Sequence, residues 1–217
     1  MTTATVAGDT TVSTRTLLTA AAVATPVWAL VSLGQVLTRE GFDPIRHPLS
    51  ALSTGSLGWI QIANFLVVGA LVIAGSFGLR RALSDRPGGT WAPRLMLVNG
   101  IGMIAAGVFV MDPADGFPIG TPAGMPAAMS WHSILHLVSG SMAFIALAAA
   151  CFVLGRHFSR AGARGTAVAS RIAGLALIVG DGWAMTGGHA GSLTLAVGVT
   201  TAMAWVSLVA ARLRKSA

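Results

Sequence analysis

The chain has 217 residues, of which 54% are hydrophobic and only 10% carry a charge. A soluble domain contains about 25% charged residues, so this chain lacks the polar groups that would cover its surface in water. The composition therefore excludes an ordinary water-soluble fold, a disordered chain and a nucleic-acid-binding domain, and it predicts a polytopic membrane protein. We attribute the net charge of +7 to basic residues that flank the membrane spans. We therefore expect no nucleic acid as a partner.

Six apolar stretches follow a Thr-rich segment, residues 1–15, that is predicted to be a flexible tail. They cover about residues 16–38, 57–79, 93–111, 131–154, 171–188 and 191–211, and a basic tail, 212–217, ends the chain. A span needs roughly 20 apolar residues to cross about 30 Å of hydrocarbon, and backbone hydrogen bonding in lipid favours helices. The sequence predicts an all-α fold, a single six-transmembrane-helix bundle over residues 16–211.

The basic residues predict the orientation of this bundle. If the N-terminus is cytoplasmic, twelve of the fourteen Lys and Arg residues lie in cytoplasmic segments or at their edges, and only Arg39 and Arg46 lie outside. This positive-inside pattern predicts an N-in, C-in protein, which we assign to the plasma membrane. Four of the five histidines and five of the seven acidic residues then fall at or just below the outer face. They predict an outward-facing polar pocket.

The first outer loop, about 39–56, carries a dense polar cluster from Asp43 to Ser53 with two prolines. Arg46 is expected to bind an anionic head group or to pair with Asp112. Ser50 or Ser53 is expected to cap a short interfacial helix. Two interpretations stay open for the loop: a solvated segment, or a lid folded over the bundle.

Asp112 follows the third span, at the helix end where the dipole disfavours a carboxylate. Either a local Asx turn or a cation or arginine partner would explain this position.

The fourth span begins with Trp131-His132-Ser133-Ile134-Leu135-His136. Residues four apart share one helix face about 6 Å apart, and two imidazoles can hold a transition metal if a carboxylate or a third histidine approaches. Ser133 stands where a zinc metalloprotease has glutamate, so that enzyme class is disfavoured. Three interpretations stay open: two interfacial histidines without a ligand, a site for a divalent metal such as zinc, or a pair that handles a ligand or a proton. The candidate metal ligands are His132, His136, Asp181 and His189.

Asp181 interrupts the fifth span between two glycines. A carboxylate inside a span costs about 2.5–3.5 kcal/mol on insertion scales and marks a functional site by default. We expect it near the midplane or slightly outside it, with a hydrogen-bond partner, for which the candidates are His136, His189, Ser50 and Asn99. The alternative is a packing role, bonded to neighbouring hydroxyl groups.

Several of these segments together resemble a known family. The segment Arg46-His47-Pro48-Leu49-Ser50, the Asp112-Pro113 pair, the Gly- and Pro-rich loop after it, and His136 are similar to a bacterial and archaeal family of six-helix membrane proteins. That family is known as a domain of unknown function (number nine-nine-eight) and is distantly grouped with Frag/DRAM-type membrane proteins. The resemblance implies a six-helix membrane fold over about 16–211 and no established activity. A weaker similarity links Ser50 or Ser53, Asp112, His132, His136 and His189 to the zinc site of seven-helix ceramidase-type hydrolases.

Three functions remain as hypotheses. The first is the binding of a membrane lipid or an amphipathic small molecule in the outer pocket, by Arg46, His47, Ser50, Asp112, His136, Asp181 and His189. The second is a metal-dependent membrane hydrolase or lipid-modifying enzyme that uses His132, His136 and Asp181, with Asp181, His136 and Ser50 as candidate catalytic residues. The third is a proton-coupled carrier that works through Asp181.

Overall fold

The computed structural model describes residues 12–217 and contains six long α-helices. They are α1 (Thr14–Thr38), α2 (Gly58–Ala82), α3 (Trp91–Val108), α4 (Trp131–Arg160), α5 (Arg164–Met185) and α6 (Gly191–Leu213), with short 3₁₀ helices at Leu49–Ser53 and Arg214–Ser216. Each of the six is long and apolar enough to cross a membrane, and residues 12–217 contain no β-strand. The predicted all-α, six-helix membrane fold is confirmed.

The helices differ from the apolar stretches mainly at their ends. The predicted flexible tail falls largely on residues 1–11, which lie outside the described residues, and α1 begins at Thr14 with Ser13 as its N-cap. Helix α5 begins at Arg164, seven residues before the predicted start at 171. Its first two turns contain arginine, threonine and serine, so hydropathy alone does not reveal them.

Helices that follow one another in the chain pack side by side, and α1 also packs against α6. Small residues permit close approach, as is usual where helices meet in lipid. A Cβ atom on Gly69 would lie 2.8 Å from the carbonyl oxygen of Gly100, and one on Gly75 would lie 2.4 Å from the Cβ atom of Ala21. Glycine is therefore required at these contacts of α2.

The two ends of the bundle differ. One end carries the long connections 39–57 and 109–130 and the tight turn 186–190, and we call it the capped end. The other end carries the short connections 83–90 and 161–163 together with the C-terminus, and we call it the basic end.

Candidate functional site

The first long connection folds back onto the bundle. Ala51, Leu52 and Ser53 of its 3₁₀ helix are buried, and Arg39, at the end of α1, donates hydrogen bonds to the carbonyl oxygens of Leu52 (3.1 Å) and Thr54 (2.8 Å). These bonds satisfy backbone acceptors that the loop would otherwise leave unpaired. Of the two open interpretations, the structure has the folded lid. Ser50 lies in this lid, and its hydroxyl group donates to the sulfur atom of Met111.

The second long connection docks on the first through an aromatic cluster. Phe117 is 1% exposed. It packs edge-on against Phe42, with 5.2 Å between ring centroids, and the guanidinium of Arg39 lies 5.1 Å from its ring centre. The two connections therefore form one cap with its own small apolar core.

An ion pair closes the rim of this cap. The guanidinium of Arg46 donates to both carboxylate oxygens of Asp115, at 2.7 and 3.1 Å. The hydrogen bond from Arg46 is the main cause of a lowered pKa of Asp115, and a backbone N–H of Gly124 adds to it. Of the two expectations for Arg46, the pair with Asp112 is not formed, because Asp115, with a positive φ of 54°, brings its carboxylate to the arginine. The binding of an anionic head group stays a prediction.

His47 bonds the cap internally. Its Nδ1 atom accepts from the N–H of Asp43 at 2.9 Å, and its Nε2 atom lies 3.0 Å from the carbonyl oxygen of Asp115. Because a carbonyl oxygen only accepts, Nε2 donates the proton in this contact. Both nitrogen atoms are satisfied in a side chain that is 3% exposed, so His47 has a structural role in this conformation.

Asp112 anchors the start of α4. Its carboxylate accepts from the backbone N–H of Ser130 at 2.7 Å and from the hydroxyl group of Ser130 at 2.6 Å. Both bonds lower the pKa of Asp112, and the bond from the hydroxyl group has the larger effect. The sequence placed this carboxylate at the unfavourable end of α3, but it also lies beside the N-terminus of α4, where the helix dipole stabilises a negative charge.

The two histidines of α4 do not act as a pair. His136 is buried, and its Nδ1 atom lies 2.8 Å from each of two carbonyl oxygens, those of Ala106 and Phe109, at the end of α3. It thus caps carbonyl groups that a helix end leaves free. His132 is exposed and stacks on Trp131, with 3.5 Å between ring centroids.

Asp181 lies four residues before the end of α5, about 6 Å along the helix axis. Because α5 begins and ends earlier than hydropathy indicates, Asp181 lies nearer the end of its helix than the sequence predicted. Its position near the midplane of the membrane or slightly outside it stays a prediction. Gly174 packs against Ala148 and Cys151, so the antiparallel register puts Asp181 roughly 10 Å from the level of His136. Within residues 12–217 its half-buried carboxylate has no hydrogen-bond partner.

The proposed metal ligands do not converge. His189 is exposed in the turn after α5, where its carbonyl oxygen accepts from the indole of Trp183. Across the described part of the chain, no three His, Cys, Asp or Glu residues form a group that could hold a metal ion. The set of His132, His136, Asp181 and His189 is therefore not assembled in this conformation.

The interior of the capped half contains an uncharged polar cluster that the sequence reasoning did not single out as a site. The amide cluster, as we call it, consists of Ser32, Gln35, Gln61, Asn64 and the indole of Trp28, all at most 4% exposed. Gln35 donates to the amide oxygen of Gln61 at 2.8 Å. Asn64 donates to Ser32 at 3.2 Å and to Gln61 at 3.3 Å.

Three polar atoms of the amide cluster have no partner among the described residues: Trp28 Nε1, Gln35 Oε1 and Asn64 Oδ1. Gln35 lies three residues before the end of α1, and Gln61 lies three residues after the start of α2. The cluster therefore extends from about 5 to about 15 Å below the capped ends of these helices. A signal existed in the sequence, since residues 28, 32 and 35 share one helix face.

A comparison with protein families gives one match. The model of a family described as "Protein of unknown function (DUF998)" matches residues 22–212. No curated protein and no solved structure matches the chain.

Proposed function

The chain belongs to the DUF998 family, whose description names no activity, and we propose that it binds an uncharged, hydroxyl-bearing lipid at the amide cluster. In this proposal the capped end faces outward from the plasma membrane. The observation that carries the proposal is the set of unpaired polar atoms inside the α1–α2 contact.

The unpaired atoms fit the chemistry of a hydroxyl group. A buried polar atom without a partner costs about 1–3 kcal/mol, and the hydrocarbon around a membrane bundle supplies no compensating hydrogen bond. Gln35 and Asn64 each offer an acceptor, and Trp28 offers a donor. A hydroxyl group donates and accepts at once, so it would satisfy both kinds of atom.

The absence of charge in the amide cluster supports an uncharged head group. Its members are serine, glutamine, asparagine and tryptophan, and no Lys, Arg, Asp or Glu is among them. Burying a phosphate beside neutral amides would leave an unpaired charge, which is far more costly than a hydroxyl group.

The covering of the amide cluster supports entry from the membrane. The folded lid packs against the capped ends of α1 and α2 and covers the route from water. On its opposite face α1 exposes Leu30, Leu33 and Leu37, which would face the acyl chains of the membrane. In this proposal the ligand reaches the cluster sideways, where α1 and α2 meet the lipid.

The test uses photoactivatable diacylglycerol and photoactivatable phosphatidylglycerol, each with the full chain in lipid nanodiscs. We expect diacylglycerol to crosslink within α1 or α2 several-fold more than phosphatidylglycerol. Gln35→Leu and Asn64→Leu should abolish this difference. Asn99→Leu is the matched control, because Asn99 is also a buried asparagine with an unpaired Oδ1 atom, and it should keep the difference. Equal crosslinking of both lipids, or crosslinks confined to other helices, would contradict the proposal.

The proposed orientation has its own test. In a Cys151→Ser background, cysteine at Ile119, an exposed residue of the cap, should react with a membrane-impermeant maleimide added to intact cells. Cysteine at Gly162, between α4 and α5, should react only after the cells are opened. The reverse pattern would place the capped end in the cytosol.

No observation favours the two alternatives. The hydrolase needs His132, His136 and Asp181 around one ion, and the described residues form no such group. The carrier works through Asp181, whose carboxylate has no hydrogen-bond partner within residues 12–217 to relay a proton.

A further inference from the structure

A small internal cavity lies between α1, α2, α3 and α6. Its volume is about 10 Å³, close to the smallest space that holds one water molecule. Most of its wall is apolar, but Thr25, Asn99 and Ser207 also line it. All three are at least nine-tenths buried, so the cavity combines the size of a water molecule with polar groups in its wall.

Asn99 presents an unpaired acceptor to this cavity. Its amide nitrogen donates to the carbonyl oxygen of Ala143 on α4 at 3.0 Å. Because that carbonyl can only accept, the nitrogen must face α4, and this fixes which atom of the amide is the oxygen. The Oδ1 atom is buried and has no partner within residues 12–217.

Thr25 presents a second acceptor. The hydroxyl group of Ser207 donates to the carbonyl oxygen of Ala21 at 2.8 Å. It has no further proton, so in its 2.8 Å contact with Thr25 the threonine must donate and the serine must accept. The lone pairs of Thr25 Oγ1 therefore stay available.

We propose that one water molecule is bound in this cavity and donates its two hydrogen atoms to Asn99 Oδ1 and Thr25 Oγ1. Two buried acceptors and no free donor suit a water molecule, which brings two protons of its own. The bound water links two helix pairs: Thr25 and Ser207 join α1 to α6, and Asn99 joins α3 to α4. It is part of the fold and independent of the lipid proposed above.

The test is X-ray radiolytic footprinting of the full chain in nanodiscs, in which hydroxyl radicals formed from nearby water oxidise methionine to the sulfoxide. Met96 and Met203 line the cavity and are 4% and 6% exposed, and Met103, also 6% exposed, does not line it. We expect Met96 and Met203 to be oxidised several-fold faster than Met103.

Variants test the polar partners of the water. Asn99→Leu should lower the oxidation of Met96 and Met203 to the rate of Met103, and Ser139→Ala, at a buried serine outside the cavity wall, should leave it unchanged. If Asn99→Leu does not fold, Thr25→Val removes the other acceptor with little change of shape and should have the same effect. Equal rates for the three methionines in the parent protein, or rates that neither variant changes, would show that the cavity is dry.

Discussion

The two halves of the bundle interior are held together by different interactions. Toward the basic end, the buried face of α1 contains Leu18, Ala21, Ala24 and one polar residue, Thr25, and α4 buries mainly alanines, leucines and Cys151, with His157 near its end. Toward the capped end, the same faces bury Ser32 and Gln35 on α1, and Ser133, His136 and Ser139 on α4. The basic half is held mainly by apolar contacts, with a few hydrogen bonds such as those between Thr25 and Ser207 and from Trp205 to Ser170, and the capped half buries more polar side chains. The comparison teaches that one bundle can combine a mostly apolar end with an end that holds several unpaired polar atoms.

The largest effect should come from a cavity in the basic half. Leu154 is fully buried, and Leu154→Ala should lower the free energy of unfolding by about 2–5 kcal/mol. Leu175→Ala is the control, because Leu175 is half exposed on α5 and its loss leaves no internal void. Thermal unfolding in detergent measures both. Equal losses would show that the basic half is not tightly packed.

Overpacking should cost somewhat less. Gly75→Val places a side chain where even a Cβ atom would lie 2.4 Å from that of Ala21, and we expect a loss of about 1–3 kcal/mol. Gly140→Val serves as the control, since a Cβ atom there has no neighbour within 4 Å. The melting temperatures of the two variants are compared. If Gly75→Val melts at no lower a temperature than Gly140→Val, position 75 does not require glycine.

The capped half should respond differently to apolar substitution. Gln61→Leu removes the acceptor of Gln35 and of Asn64, and the unfolding free energy should fall by about 1–3 kcal/mol because their donors lose a partner. Replacing Gln35 by leucine as well removes the amide donor that Gln61→Leu leaves without its partner. The double variant should therefore lose less unfolding free energy than the sum of the two single losses. If the melting temperature of the double variant falls by the sum of the two single shifts, the two amides do not interact.

The smallest effect should come from the rim of the cap. The pKa of Asp115 is lowered in the folded protein, so its contribution to stability is present above its ordinary pKa and is lost as pH falls through the lowered value. Between pH 6 and pH 3 the parent protein should therefore lose slightly more thermal stability than Asp115→Asn. An identical pH response of the two proteins would show that the Arg46–Asp115 pair does not stabilise the cap.

The six helices could be predicted from the sequence because apolar length is a local property and lipid leaves few alternatives to helix. The site could not be predicted in the same way. His132, Asp181 and His189 stand out in the sequence because they can ionise, but they lie at or near the ends of helices. Gln35 and Asn64 carry no charge and lie in apolar runs, so they do not stand out in the same way. The partner of Arg46 depended on a turn at Asp115 that the sequence pattern does not specify.

The hydrogen bond between Thr25 and Ser207 joins residues 182 positions apart in the chain. At a synthesis rate of about 5–20 residues per second, the serine follows the threonine by roughly 10–40 s. Throughout this interval α1 is already made while its contact with α6 does not exist. The helices can therefore close on one another only after α6 is made, and until then the hydroxyl group of Thr25 lacks its partner on α6, whereas Ser32 and Gln35 find theirs on α2 much earlier.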